Sequence, residues 1–346
     1  MDPLDEKIRE MCAKYIYQPS IISAKKRIIA IGDLHGDYTL TVNSLKLANV
    51  INDNLKWIGN DTHVVQVGDQ IDRCRPINTT CDDIDSTDDD EGSDIKIMKL
   101  FTELDEQAQK VGGRVISLLG NHELMNVLGN LNYVSYEGLR EFENYRDPYT
   151  GQIFKDGKKG RKHAFAPGNE YGRFLACTRL SAVIIGSFIF IHAGIIPEFL
   201  NKLDISDKKD IELINKRVKQ WLLGLINKEY IDNIVGSFEY SPFWNRILGS
   251  IPINMSNEDP ACRQYLDPVL KLFNLKYMVI GHTPQFFNNQ AGINSTCSNK
   301  LWRVDNGSSN AFNKFDNEYI KTGVLSDFRK VQVLEILNDK DINILS

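Results

Sequence analysis

The stretch GDLHGD, residues 32–37, decides how the rest of the chain is read. It follows an apolar run, Ile28, Ile29, Ala30 and Ile31, and precedes a stretch, 38–50, with Thr41, Leu45 and Ala48 at helical spacing. The run reads as a buried strand and the following segment as a helix. Asp33 and His35 lie two apart, and in extended chain such side chains point to the same side. A carboxylate and an imidazole leaving a strand end together begin a divalent metal site. Asp-x-His is a common pairing by itself; four later segments of the same build give it meaning.

Short apolar or β-branched runs at 63–67, 114–119, 188–191 and 277–280 read as strands. They end in GDQIDR (68–73), GNHE (120–123), HAG (192–194) and GHT (281–283). In layered α/β folds, ligands gather at the carboxyl ends of the strands. Five strand ends would therefore aim Asp33, His35, Asp69, Asp72, Arg73, Asn121, His122, His192 and His282 into one cleft. A glycine adjoins each cluster and lets the backbone turn sharply there. The chain has six histidines, and four of them occupy these positions; only His63 and His163 are left over.

Asp33, His35, Asp69, Asn121, His192 and His282 offer three oxygen donors and three imidazoles. That is too many for one ion and suits two borderline divalent metals such as Mn, Fe or Zn. Asp69 would bridge them, because a carboxylate between two cations relieves their repulsion. A water shared by two such ions is acidified and attacks near neutral pH, and a tetrahedral phosphorus attacked in line suits that geometry best. Arg73 offers a planar fork for two phosphoryl oxygens. His122 is placed to protonate the leaving oxygen. Asp72 would hold His122 in one tautomer; a loop salt bridge between Asp72 and Arg73 is the structural alternative.

Composition bounds the rest. The chain has 346 residues, 42% hydrophobic and 25% charged, which is that of a globular protein with ample core. A net charge of −5 supplies no global basic field for nucleic acid. The N-terminus lacks an apolar leader segment and no run is long enough to span a membrane, so a cytoplasmic location is expected. The six cysteines are scattered without a CxxC and read as free thiols of a reducing compartment, although Cys74 and Cys81 flank a short loop and would pair on oxidation.

Between the motifs, residues 82–94 carry eight acidic residues and no basic one, the pattern of a mobile surface loop. Ile97, Met98, Phe101, Leu104 and Ala108 predict a helix capped near Ser93. Residues 124–180 read as a helix-and-loop excursion near the site. Within it, 155–162 has five basic residues in eight, broken by Gly157 and Gly160, and reads as a solvated loop. Two apolar runs around Gly186 and Ser187 predict a hairpin. Ile214, Val218, Trp221 and Leu222 form one helix face, and Leu266, Val269, Leu270 and Phe273 another. Residues 301–304, 322–325 and 330–336 read as closing strands. No linker or repeat divides the chain, so residues 1–346 are expected to be one α/β domain.

The ordered set GDLHGD, GDQIDR, GNHE, HAG and GHT resembles the phosphoprotein phosphatase branch of the calcineurin-like metallophosphoesterases. EYGRFLA (170–176), SPFWNR (241–246), MVIGHTPQ (278–285) and GINSTCSNKLWRVDNGSS (292–309) look closest to the Shewanella-like protein phosphatase group. The resemblance implies a four-layer αββα sandwich with a dimetal site at the strand ends. It implies phosphomonoester hydrolysis, usually of phosphoserine or phosphothreonine in a phosphorylated protein substrate. By motif, Asp33, His35 and Asp69 hold one metal, and Asp69, Asn121, His192 and His282 the other. His122 is the acid, Asp72 its partner and Arg73 a phosphate clamp. Arg246, which follows a Trp-Asn pair, reaches the phosphate or is a helix-surface arginine; Asp305 and Asn306 read as turn residues. Cys74 stands where the family has glycine, and HAG replaces the commoner HGG. A small-molecule or dinucleoside polyphosphate phosphoesterase is the alternative within the same chemistry. A non-catalytic phospho-partner scaffold is the alternative outside it.

Overall fold

The computed structural model describes residues 3–77 and 79–346. Two six-stranded sheets face one another. The first runs in the order Asp341–Leu345, Val333–Leu337, Arg27–Ile31, His63–Gln66, Arg114–Leu118, Arg179–Leu180. The second runs Ile21–Ile22, Ala182–Ile185, Phe188–Ile191, Tyr277–Ile280, Leu301–Arg303, Asn294–Thr296. The three motif-bearing strands of the first sheet are mutually parallel, with Ile28 opposite His63 and His63 opposite Arg114. In the second, Phe188–Ile191, Tyr277–Ile280 and Leu301–Arg303 are parallel as well. Their carboxyl ends therefore lie along one edge of each sheet.

Strand periodicity divides the apolar side chains between layers. Ile28, Ala30, Val65 and Ile116 point between the sheets and meet Val183, Phe188, Phe190 and Val279 of the other. Ile29, Ile31, Val64 and Val115 point outward, under Leu45 of helix Tyr38–Leu47 and Phe101 and Leu104 of helix Asp94–Gln109. On the far side, Ile184, Ile189, Ile191 and Met278 pack under Val218 and Trp221 of Asp210–Leu222 and Leu270 and Phe273 of Asp267–Phe273. The result is the αββα sandwich. Each strand's near-continuous apolar run follows from burial on both faces.

Several sequence expectations change. Residues 322–325 are no strand: Thr322 ends the helix Asn317–Thr322, and Gly323 closes it with a φ of +73°. The sheet edge is instead supplied by Asp341–Leu345, paired antiparallel with Val333–Leu337. The cysteines are not free. Cys12–Cys177, Cys74–Cys81 and Cys262–Cys297 are disulfides, because the fold brings together residues up to 165 apart in sequence. Scattered spacing hides such pairs.

The basic stretch is not a solvated loop either. It forms most of the helix Gly157–Phe165. Its glycines let that helix approach its neighbours: a Cβ at Gly157 would stand 2.1 Å from the Leu139 carbonyl oxygen, and one at Gly160 2.6 Å from that of Phe142. The acidic segment 82–94 is docked. Asp90 accepts from Ser135 Oγ at 2.7 Å and from the Glu137 N–H at 2.8 Å, and Glu91 accepts from the Tyr38 N–H at 2.8 Å. Its carboxylates satisfy the free N–H groups of two helix starts, which is why so acidic a stretch is held. Among the described residues no helix is long and apolar enough to cross a membrane.

Candidate metal centre

The loop after the first motif strand runs over the loop after the second: Leu34 N–H and His35 N–H both donate to the Asp69 carbonyl at 2.9 Å. His35, Asp69 and His282 each take a positive φ, 45°, 53° and 66°, which turns these side chains sharply off the strand ends. Glycines admit the crowding. A Cβ at Gly120 would lie 2.1 Å from Asp69 Oδ1, and one at Gly281 2.2 Å from Asp33 Oδ1.

All six residues expected to hold metal converge, and all are buried. Asp69 is central. Its Oδ1 accepts from the His122 N–H at 2.9 Å. Its Oδ2 lies 3.4 Å from His192 Nε2 and 3.9 Å from both His35 Nε2 and His122 Nε2. Asp33 Oδ2 lies 4.0 Å from His35 Nε2, and Asn121 Oδ1 is 2.9 Å from both His192 Nε2 and His282 Nδ1. Two groups of donor atoms close enough to share an ion emerge, His35–Asp69–His122 and Asp69–His192–His282, with Asp69 common to both. The far ring nitrogens are fixed by carbonyls: His192 Nδ1 by Val67 at 2.9 Å and His282 Nε2 by Trp244 at 3.2 Å. Such outer partners aim the opposite nitrogen into the site.

The charge balance calls for cations. Burial, then the charges of Asp305 and Asp69, push Asp33 well above the usual carboxylate range, and its Oδ1 is buried with no hydrogen-bond partner. Burial and Asp69 push Glu123 up to about 7. Burial also opposes ionisation of Asp69, but His192 first, then His122, overcome it and hold its carboxyl well below the usual range. Burial keeps His35 and His282 neutral, the form that offers a lone pair. An unpartnered carboxylate oxygen and neutral imidazoles around a shared carboxylate fit a pair of divalent ions.

His122 Nδ1 lies 2.8 Å from Asp72 Oδ2, so its Nε2 faces the cleft. Asp72 is held in turn: Asn126 Nδ2 donates to its Oδ1 at 2.9 Å, and its own N–H donates to Asp94 Oδ1 at 3.2 Å. Arg161, fully buried, donates to Asp94 at 2.7 Å and to Asn126 at 2.8 Å and stands 3.6 Å from Asp72. Sequence reading left Arg161 in a surface loop; its neighbouring lysines masked it.

Arg73 is not brought into the cleft. It is buried elsewhere, donating to the Gly36 carbonyl at 3.3 Å and the Asp89 carbonyl at 3.0 Å, with Asp37 at 3.7 Å and Glu91 at 3.9 Å. Asp72, at φ +73°, turns the chain, and the acidic segment captures the guanidinium. Arg246 stands on the rim, its Nη1 donating to the His282 carbonyl at 3.3 Å. Asp305 is a turn residue, as its place after a strand suggests, its Oδ1 accepting from the Gly307 N–H at 3.0 Å, and it also lies close enough to Asp33 to raise that carboxyl. It follows strand Leu301–Arg303 as the other clusters follow theirs, and that position was the available signal. It is buried, its Oδ2 lacks a hydrogen-bond partner, and burial pushes it up to about 6.

The cleft above these groups holds about 540 Å³ and is walled by Tyr133, Trp244, Phe287, Phe312 and Phe315, with Arg75 and Arg246 among the lining residues. Phe312 packs edge-on to His35 at 5.4 Å, and Tyr133 edge-on to His122 at 5.0 Å.

A family model described as calcineurin-like phosphoesterase matches residues 26–286, a span that contains all five motifs. The chain belongs to the calcineurin-like phosphoesterase family. The chain is 41% identical over 265 residues to uncharacterized protein R398 of Acanthamoeba polyphaga mimivirus, covering 72% of this chain and 98% of that protein. It is 27% identical over 318 residues to Shewanella-like protein phosphatase 2 of Arabidopsis thaliana, covering 82% of this chain and 72% of that one. The crystal structure of a cold-active protein-tyrosine phosphatase of a psychrophilic Shewanella matches with a TM-score of 0.65 at 22% identity, covering 97% of this chain and 84% of that chain. That last likeness is one of fold. The chain thus has two mixed sheets in the α/β fold of its family.

Proposed function

We propose that the protein is a metal-dependent phosphomonoesterase acting on phosphorylated protein side chains, with phosphoserine and phosphothreonine as the first reading. The observation that carries it is the convergence of six donor residues from separate strand ends on a site where Asp69 serves two clusters. In this reading Asp33, His35 and Asp69 hold one divalent ion, and Asp69, Asn121, His192 and His282 the other, with Mn, Fe and Zn all suited to the donor set. Such ions supply positive charge to the phosphoryl oxygens and lower the pKa of a water. The chain's own residues do the rest. His122, with Nδ1 occupied by Asp72, presents Nε2 to the cleft and gives a proton to the leaving oxygen. Asp72 orients that ring and is itself kept in place by Asn126 and the Arg161–Asp94 pair. Arg246 on the rim offers donors to the phosphate.

The aromatic wall of Tyr133, Phe287, Phe312 and Phe315 favours a second reading, an aryl ester such as phosphotyrosine, whose ring would lie against it. A dinucleoside polyphosphate hydrolase and a non-catalytic scaffold find no comparable support. The whole donor set and His122 are present, whereas a scaffold has no need of a positioned acid. Nucleic acid and membrane partners are not part of the proposal. On location, three disulfides weigh against the reducing cytoplasm expected from cysteine spacing and favour an oxidising setting.

The test is hydrolysis of para-nitrophenyl phosphate by metal-stripped protein titrated with Mn(II), beside His122→Asn. Metal-dependent turnover is expected, with a loss of about 10²–10⁴-fold in the variant for an alkyl phosphate and less for the better leaving group. Phosphoserine, phosphothreonine and phosphotyrosine peptides of one sequence then rank the two readings. Stoichiometric metal binding with no turnover on any of these esters would overturn the assignment as an enzyme.

A further inference from the structure

Resting on the phosphatase reading, we propose that Arg75, two residues beyond the motif arginine, is the residue that grips the substrate phosphate. Arg73, in the motif position, has its guanidinium spent on the Gly36 and Asp89 carbonyls and lies beside Asp37 and Glu91, away from the cleft lining. A guanidinium so engaged would have to break buried contacts to reach a substrate. Arg75 is placed differently. It lines the cleft together with His35, Asp69 and His122. Its guanidinium sits 4.7 Å from the Phe312 ring and 5.7 Å from the Tyr133 ring. Those two rings are the ones packed edge-on against His35 and His122. The cation is thus held on the cleft wall between the two rings that pack against His35 and His122, which are themselves in edge contact at 4.9 Å.

One edge of Arg75 is fixed and the other is free. Nη1 donates to the Asp72 carbonyl at 2.9 Å and the Cys74 carbonyl at 2.8 Å. Among the described residues, Nε and Nη2 have no protein acceptor, and they form the paired edge that two phosphoryl oxygens match. The backbone sets this aim. Asp72 is in the left-handed region, the Cys74 N–H donates to the Tyr133 carbonyl at 3.0 Å, and Pro76 biases Arg75 to extended backbone. The Cys74–Cys81 disulfide then closes the loop behind Arg75. The two arginines part at this loop: Asp89 and Glu91 of the acidic segment lie against Arg73, while Arg75, two residues on, lines the cleft.

The test compares Arg75→Ala, Arg75→Lys and Arg73→Lys in Mn(II)-loaded full-length protein. The readouts are KM and kcat on para-nitrophenyl phosphate, Ki for inorganic phosphate, bound metal, and the rise in Tm that inorganic phosphate produces. Arg75→Ala is expected to lower kcat/KM by about 10²–10³-fold and to raise Ki for phosphate by about tenfold or more, at unchanged metal content. Arg75→Lys, a point charge without the fork, should recover part of the affinity. Parent-like Ki and parent-like phosphate stabilisation in Arg75→Ala would overturn the proposal, as would a larger rise in Ki for Arg73→Lys than for Arg75→Lys. A parent without turnover would sink the phosphatase reading instead, and the phosphate-induced rise in Tm would still decide the role of Arg75.

Discussion

Removing Cys12–Cys177 should unfold this protein at distinctly lower temperature than removing either other disulfide. The helix Pro3–Met11 has no buried residue of its own and is held by the Asp5–Lys216 ion pair at 2.7 Å, by Ile8 and Met11 packed against the core, and by the link from Cys12 to helix Glu170–Thr178. The three bridges close loops of 165, 7 and 35 residues. Chain-entropy bookkeeping then gives about 5, 2 and 4 kcal/mol respectively, as upper values if the native geometry is unstrained. Unfolding entropy of about 2.1 cal/mol/K per residue makes roughly 0.7 kcal/mol/K for the chain, so the expected losses in Tm are about 7, 3 and 5 °C. The assay is calorimetric or dichroic melting of Cys12→Ala/Cys177→Ala, Cys74→Ala/Cys81→Ala and Cys262→Ala/Cys297→Ala, with and without reductant. Non-reduced protein alkylated in denaturant should show no free thiol. A Cys12→Ala/Cys177→Ala variant melting within about 1 °C of the parent would refute the entropic argument. Labelling of all six cysteines in non-reduced protein would refute the pairing itself.

Two other perturbations have equally direct outcomes. Gly120→Ala places a methyl 2.1 Å from Asp69 Oδ1; the variant should fold by dichroism yet bind less metal by elemental analysis, and parent-like metal content would show that the loop yields. His63, buried at the start of its strand, is pushed down to about 4 by burial. The unfolded chain therefore takes its proton first, and the stability present above about pH 6.5 is lost as pH falls toward 4, by about 2 kcal/mol after allowance for solvent near the strand end. In urea titrations at pH 4 and 7, His63→Gln should show a smaller difference than the parent; equal differences would remove His63 from the acid response.

Strand ends and their polar clusters were legible in the sequence because both faces of each motif strand are buried, and continuous β-branched runs ending in Gly-Asp or Gly-Asn-His admit few other readings. Asp33, His35, Asp69, Asn121, His122, His192 and His282 were therefore recognisable before any fold was known, as was the Asp72–His122 pairing, which depends on residues fixed to those same ends. Arg161 and Asp305 were not. One sits among surface lysines and the other in a Val-Asp-Asn-Gly turn, and burial distinguishes neither until helices and sheets are packed. The arginines divide in the same way: sequence places Arg73 and Arg75 two apart, but a positive φ at Asp72, a disulfide and the acidic segment decide which of them faces the site. Cysteine pairing across 165 residues lay equally out of reach. Local pattern determined which groups the chain offers for chemistry; only tertiary structure decided how they are buried, partnered and aimed, because those depend on contacts between segments far apart in the chain.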